Sequence, residues 1–295
     1  MKNADLLKIA KTYGDPVYVY DASKIISQYK RLTNAFSGVK NLTLNYAAKA
    51  LSNMAILKLM NSLGSGLDTV SIQEVQLGLL AGFKPEAIIF TPNGVSLEEI
   101  EEAAKLGVRI NIDNLSILEQ FGSKHPDIPV CIRINPHVMA GGNSNISVAV
   151  SKLPYKEGDI ETNVEELGKK LSSRFNEFCK EYGRELTLAF EPGKFLVSEA
   201  GFFLAKDISV RQILSLVIVR INEISEGDIL SFKNAGAYCF TMASNYNSRF
   251  RPPEVLWHEG KAILIRERED FDDLIRNQVD VKDLFARKKE KAAAK

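Results

Sequence analysis

The sequence predicts an α/β protein: a shortened (β/α) barrel or a doubly wound parallel sheet, joined to a β-rich second domain. Three observations predict it. From Leu42 to Pro136, short apolar runs rich in strand formers alternate with segments of helical spacing. Hydroxyl and carboxylate residues three apart, as in Ser71/Glu74 and Ser96/Glu99, mark helix starts by capping open backbone N–H groups. After Gly201 the texture changes to strand-like runs.

The elements follow in order. PVYVYD (16–21) is strand-like and precedes the barrel texture. Six barrel-type strands are expected: LTLNY, the GLDTV segment, AIIFT, VRINI, VCIRI and LTLAF. Between them, Ile56, Leu57, Met60 and Leu63 line one helical face, Ile72, Val75 and Leu79 a second, and Leu97, Ile100 and Ala104 a third. HVMAGGNSNIS (137–147) reads as a loop. Thr162 and Glu165 form a third capping pair, opening a long helix through Val164, Leu167, Leu171, Phe175, Phe178 and Tyr182 that Gly183 ends. LTLAFEP (186–192) is expected to be a buried strand. Beyond Gly201 come ILSLVIVRI, DILSFKN and VLWHEGKAILIRE, the last with a hairpin turn at Glu259–Gly260. The apolar run 213–219 either pairs within its own sheet or forms a new edge. The expected division is a barrel-like domain over 30–204, a β-rich domain from 1–29 and 205–285, and a solvated tail over 286–295.

Composition excludes several classes. The 295 residues are 45% hydrophobic and 25% charged, which excludes wholesale disorder. Lys and Arg number 38 against 37 Asp and Glu, so no charge surplus favours nucleic acid or an anionic membrane. Cys131, Cys179 and Cys239 form no close pair, and His125, His137 and His258 lack metal-ligand spacing. The N-terminal stretch has no apolar signal core, and no apolar run approaches the roughly 20 residues of a membrane span. A soluble cytoplasmic protein is expected.

Four segments carry candidate chemistry. Lys49 ends an apolar strand, where parallel α/β folds bind ligands, and is flanked by Ala47, Ala48 and Ala50. Desolvation there would lower its amine pKa, as Schiff-base chemistry requires; read blandly, it is a surface lysine. Glu191 follows a strand and precedes the Pro192–Gly193 turn, so it suits a cation or a protonated ring nitrogen, or simply a nearby base. Gly236 and Ala237 permit close backbone approach just before Tyr238, or form a plain turn with Tyr246 packing nearby. Arg133 alternates with apolar neighbours on a strand expected to be buried, where it would need an anionic partner. LGSGLD (63–68) is not a phosphate-loop motif.

YVYD, YAAKA, SGLDTVSIQEVQLGLLAGF, CIRINP, EPGKFLVSEAG and INEISEGDIL–FKNAGAY–F–MASNYNSRFRP occur in that order over most of the chain. In this the chain resembles the diaminopimelate decarboxylases, pyridoxal 5'-phosphate (PLP) enzymes of the alanine-racemase-like barrel class. The resemblance implies a PLP-binding (β/α)8 barrel with a β domain that takes in the N-terminal strand. It implies decarboxylation of meso-diaminopimelate to lysine, a small amino-acid substrate, and a homodimer whose subunits complete each other's sites. Motif by motif, Lys49 would be the Schiff-base lysine and Glu191 would face the pyridine nitrogen. Tyr238 would contact cofactor and substrate, and Asp68 and Arg133 would line the cofactor pocket. Lys194 stands where the family usually has a substrate- or phosphate-binding arginine, keeping the charge without the bidentate fork.

The chain also departs from the family. Ser147 runs through VAVSKL to Pro154, where the family carries an SKFG turn, a His-Gly-Ser strand and a glycine-rich phosphate loop. KDISVRQILSLVIVR (206–220) stands where the family carries a substrate-binding Arg/Tyr stretch and a Cys-Glu-Ser motif. Six strands, where a full barrel needs eight, imply a smaller, open or re-closed barrel. Three readings follow: an active PLP decarboxylase, a PLP-binding barrel without that activity, and a truncated or redesigned scaffold holding no cofactor; the missing motifs lead to an expectation of weak or absent turnover.

Overall fold

The computed structural model describes residues 1–134, 163–206, 225 and 227–278. The chain opens with helix α1 (Asn3–Tyr13), strand β1 (Val17–Asp21) and helix α2 (Ala22–Ala35). The barrel texture then gives β2 (Leu42–Ala47), α3 (Met54–Ser62), β3 (Gly66–Thr69), α4 (Ile72–Leu80), β4 (Ile88–Phe90) and α5 (Leu97–Lys105). It continues as β5 (Arg109–Ile112), α6 (Leu115–Lys124), β6 (Val130–Ile132), α7 (Val164–Tyr182) and β7 (Leu188–Phe190). All six expected barrel strands are present, in one parallel sheet of order β6-β5-β4-β3-β2-β7 that curls into a half-barrel. The first and last of them are neighbours: Leu42, Thr43 and Leu44 of β2 face Leu188, Ala189 and Phe190 of β7. The helices preceding these two strands lock that pairing. Gly168 of α7 lies so close to α2 that a Cβ there would meet the Ala35 carbonyl oxygen at 2.2 Å. Arg31 pairs with Glu165 across the same contact, at 2.7 Å.

The second sheet draws on both ends of the chain. After the short helix α8 (Lys194–Val197) come β8 (Gly201–Lys206), β9 (Ile229–Lys233), β10 (Glu254–His258) and β11 (Lys261–Arg266). With β1 they form a mixed sheet of order β11-β10-β1-β8-β9, in which β1 is parallel to β10 and antiparallel to β8. PVYVYD thus belongs to the second sheet and not to the barrel sheet. The hairpin expected at Glu259–Gly260 joins β10 to β11, and both turn residues take positive φ (49° and 77°), as a tight two-residue turn requires.

Local signals behave as the chemistry dictates, with some corrections. Ser71 and Ser96 each accept a bond from the backbone N–H three residues on, capping α4 and α5. The long helix begins one residue later than expected: Asn163 caps α7 through the Glu166 N–H, and Thr162 lies outside the described residues. Gly183 ends it in the left-handed conformation, as expected. VCIRI and LTLAF were expected to be buried strands, but β6 and β7 are half-exposed or exposed along their length. The reason is topological: among the described residues they are the two edges of the sheet, and each lacks a neighbour on one side. The loop 137–147, the segment between Ser147 and Pro154, the apolar run 213–219 and the tail 286–295 fall outside the described residues. Among the described residues no helix is long and apolar enough to cross a membrane.

Candidate active site

The register of the half-barrel decides which side chains share its mouth. Leu67 and Ile88 face helix α4, since a Cβ added to Gly78 would strike both side chains. Alternation along the strands then turns Asp68 and Ile89 to the opposite, inner face. Ala47 of β2 is directly opposite Asp68 of β3. Two residues beyond Ala47, in the 3-10 turn Ala48–Ala50, stands Lys49. On the other side of β2, Glu191 follows Phe190, the last residue of β7, and the Ala47 N–H donates to the Pro192 carbonyl at 3.2 Å. Lys49 therefore rises from the central strand of three, with Asp68 on one flank and Glu191 on the other. This is the C-terminal end of a parallel sheet, where α/β folds place their ligands.

The turn after Glu191 is packed tightly against the Lys49 turn. A Cβ on Gly193 would come within 2.9 Å of the Ala50 methyl and 3.2 Å of the Ala47 methyl. Gly193→Ala should therefore push the Glu191 turn away from Lys49. A loss of roughly 1–3 kcal/mol is expected, read as a lowered melting temperature. An unchanged melting temperature would show that the two turns part freely.

Tyr238 reaches the mouth from the segment between β9 and β10 of the second sheet. Its backbone N–H donates to the Ala50 carbonyl at 2.8 Å, and its φ of 63° turns the chain sharply there. Gly201 and Gly236 make this possible by backbone contact: a Cβ on Gly236 would meet the Val197 carbonyl oxygen at 1.8 Å. The expectation of close approach at Gly236 is met by protein backbone, whereas Tyr246 is 79% exposed and packs little.

The electrostatics centre on Asp68. It is 2% exposed, and its Oδ1 has no hydrogen-bond partner among the described residues. Burial raises its pKa to about 7, and repulsion from Glu191 adds to the rise. A hydrogen bond from Thr91 and the charge of Lys49 pull the other way. Glu74 lies close by, at the first turn of α4, with its carboxylate accepting the Val70 N–H at 2.8 Å. Its pKa too is raised by burial, against the pull of that N–H and of Lys49. The Tyr238 phenol is held above its usual range by burial, then by Asp68 and Glu74. Each of these carboxylates feels Lys49, so all belong to one field. Glu74 and Thr91 were not singled out as site residues in the sequence. The signal for Glu74 was present, since a capping box directly after the Asp68 strand aims its carboxylate at the strand's C-terminal end.

Two expectations need correction. Lys49 is exposed although its alanine neighbours are buried, so the described residues do not supply the desolvation expected of it. Its position beyond the strand end, in the 3-10 turn, lifts the side chain above the buried layer. Arg133 is exposed, not buried, because β6 is a sheet edge; its backbone N–H donates to the Ile112 carbonyl at 2.9 Å. It stands on the same rim as Asp68, three strands away. Lys194, half-buried at the start of α8, has its amine pKa lowered by burial.

These residues fit the ring end of PLP: an accessible amine, a carboxylate across from it, a phenol, and an orphaned buried carboxylate oxygen in the same mouth. Residues 22–155 match the family model described as the pyridoxal-binding domain of pyridoxal-dependent decarboxylases. A diaminopimelate decarboxylase of Methanothermobacter thermautotrophicus is 28% identical, with 93% of this chain and 94% of the relative covered. That alignment runs over 402 positions against 295 residues here, so at least a hundred positions of the relative face a gap. The Thermoplasma acidophilum enzyme of the same name is 23% identical, with 91% and 94% covered. Among solved structures, the M. jannaschii diaminopimelate decarboxylase superposes with a TM-score of 0.78 at 20% identity, covering 93% of this chain and 94% of that one. The Helicobacter pylori diaminopimelate decarboxylase, complexed with L-lysine, superposes with a TM-score of 0.75 at 22% identity, with 92% and 98% covered. The chain is thus similar to the pyridoxal-binding domain of pyridoxal-dependent decarboxylases over residues 22–155, and to diaminopimelate decarboxylases over most of its length.

Proposed function

We propose that the protein is a diaminopimelate decarboxylase, releasing the carboxylate of meso-diaminopimelate to give L-lysine. The observation that carries this reading is the placement of Lys49 between Asp68 and Glu191 at the C-terminal end of the half-barrel. PLP, when bound, supplies an electron sink for the pair left behind when the bond from Cα to the carboxylate breaks. Lys49 offers the amine that holds the cofactor. Glu191 favours a protonated pyridine nitrogen, a role that separates decarboxylases from the related racemases, which the resemblance equips with an arginine there. Tyr238 borders both cofactor and substrate, while Asp68 and Arg133 line the cofactor side. Lys194, close to Glu191 in sequence, offers its charge to a substrate carboxylate.

The test is carbon dioxide release from meso-diaminopimelate by the purified chain with added PLP. Turnover is expected to be weak, since the family's phosphate loop and its Cys-Glu-Ser segment have no counterpart in the sequence. No release above a Lys49→Ala control would defeat the reading. Glu191→Gln should keep cofactor binding but lower kcat by at least tenfold, because the ring nitrogen loses its anionic partner. An unchanged kcat would remove Glu191 from that role. A homodimer in the cytoplasm completes the proposal, and a monomer mass at every concentration in light scattering would exclude the dimer.

A further inference from the structure

Glu254 is the most deeply buried carboxylate among the described residues, at 0% exposure, and lies on β10, away from the mouth. Burial of a carboxylate is costly unless partners surround it. Here three donors do. The Tyr20 hydroxyl donates to Oε1 at 2.8 Å, the Asn53 amide donates to Oε2 at 2.9 Å, and Arg266 donates to Oε2 through Nε.

These partners lead to the two halves of the mouth. Asn53 is 3% exposed and caps α3 through the Ala55 N–H. It lies four residues after Lys49, and its amide also donates to the Ile265 carbonyl at 3.3 Å. The intervening Leu51 is fixed in turn, its carbonyl accepting the buried Tyr46 hydroxyl at 3.0 Å. On the other side, Arg266 stands over the Phe240 ring, 4.8 Å from its centroid. Arg251, paired with Glu269, covers the same ring at 5.7 Å, and Tyr18 packs edge-on against it. Phe240 is two residues past Tyr238. Cation–π contacts of partly desolvated guanidinium groups stabilise by about 0.5–2 kcal/mol each, enough to hold a short loop.

We infer that Glu254 is a positioning residue that sets Tyr238 of the second domain against Lys49 of the barrel. Through Asn53 it fixes the start of α3 behind the Lys49 turn. Through Arg266 and Phe240 it fixes the loop that carries Tyr238. The bond from the Tyr238 N–H to the Ala50 carbonyl is where the two branches meet. The kinetic part of this inference rests on the proposed decarboxylation; the structural part does not.

The test uses Glu254→Gln, Phe240→Leu and the double variant. Without cofactor, amide exchange read by mass spectrometry should speed by at least tenfold over residues 236–240 in each variant, with β5 unchanged. With cofactor, kcat should fall on the order of 10- to 100-fold while KM stays within about twofold, the sign of lost alignment and not lost binding. The double variant should be no worse than the worse single one, because both act through one chain of contacts. Unchanged exchange at 236–240 in Glu254→Gln would overturn the inference, as would additive losses in the double variant. So would exchange that speeds equally throughout the molecule in both single variants, which would assign Glu254 to stability alone. A parent chain without turnover defeats the proposed activity but leaves the exchange measurements to decide the positioning.

Discussion

Replacing Lys49 with alanine is expected to abolish covalent capture of PLP while leaving the fold intact. The lysine is exposed, and its buried neighbours Ala47, Ala48 and Ala50 are already alanines that pack without it. Truncating an exposed side chain away from packing features changes stability by roughly 0.5 kcal/mol or less. The parent chain, reduced with borohydride in the presence of PLP, should carry the added pyridoxyl mass on the peptide containing Lys49. In Lys49→Ala that mass should vanish from the chain, and decarboxylation with it. Capture at another lysine in the parent, Lys194 being the nearest alternative in the EPGK segment, would overturn the assignment of the amine.

The second large effect is on stability. Asp68 is buried, lacks a partner for Oδ1 among the described residues, and has its pKa raised from 3.8 to about 7. A folded-state pKa above the unfolded one means that the native state holds the proton more tightly. Stability is then lost as pH rises from about 4 through 7, and the full penalty applies above that. The rise corresponds to roughly 4 kcal/mol at pH 8. Asp68→Asn removes the charge and should raise the melting temperature of the cofactor-free protein at pH 8. The gain should shrink steadily towards pH 4, where the parent's Asp68 is protonated in the native state and already partly protonated in the unfolded chain. Combined with Lys49→Ala, the gain at pH 8 should grow, because the cation that favours the charged form of Asp68 is gone. An equal gain at pH 4 and pH 8 would show that the effect is packing and not ionisation.

The sequence by itself determined the six barrel strands, their parallel order through helical crossovers, and the assignment of PVYVYD away from the barrel. These rest on local patterns: apolar runs, helical spacing and caps such as Ser71 and Ser96 that act within four residues. It also singled out Lys49, Glu191 and Tyr238, because residues at strand ends and beside close-packed glycines are marked by their immediate neighbours, whereas Asp68 entered only through the family resemblance. Only the tertiary structure decided burial. VCIRI has the composition of an inner strand, yet Arg133 is exposed because β6 has no neighbour on one side among the described residues. Lys49 sits among buried alanines, yet extends beyond them. Asp68 has its pKa raised first by burial and then by Glu191, 123 positions away in sequence, because β7 closes onto β2 beside β3. Glu254 interrupts the apolar run PPEVLW, a sign of a buried charge that the sequence leaves without a partner. Its partners Tyr20, Asn53 and Arg266 come from three separate segments, and no local pattern encodes such a meeting, since hydrogen bonds and Coulomb forces depend on distance in space and not along the chain.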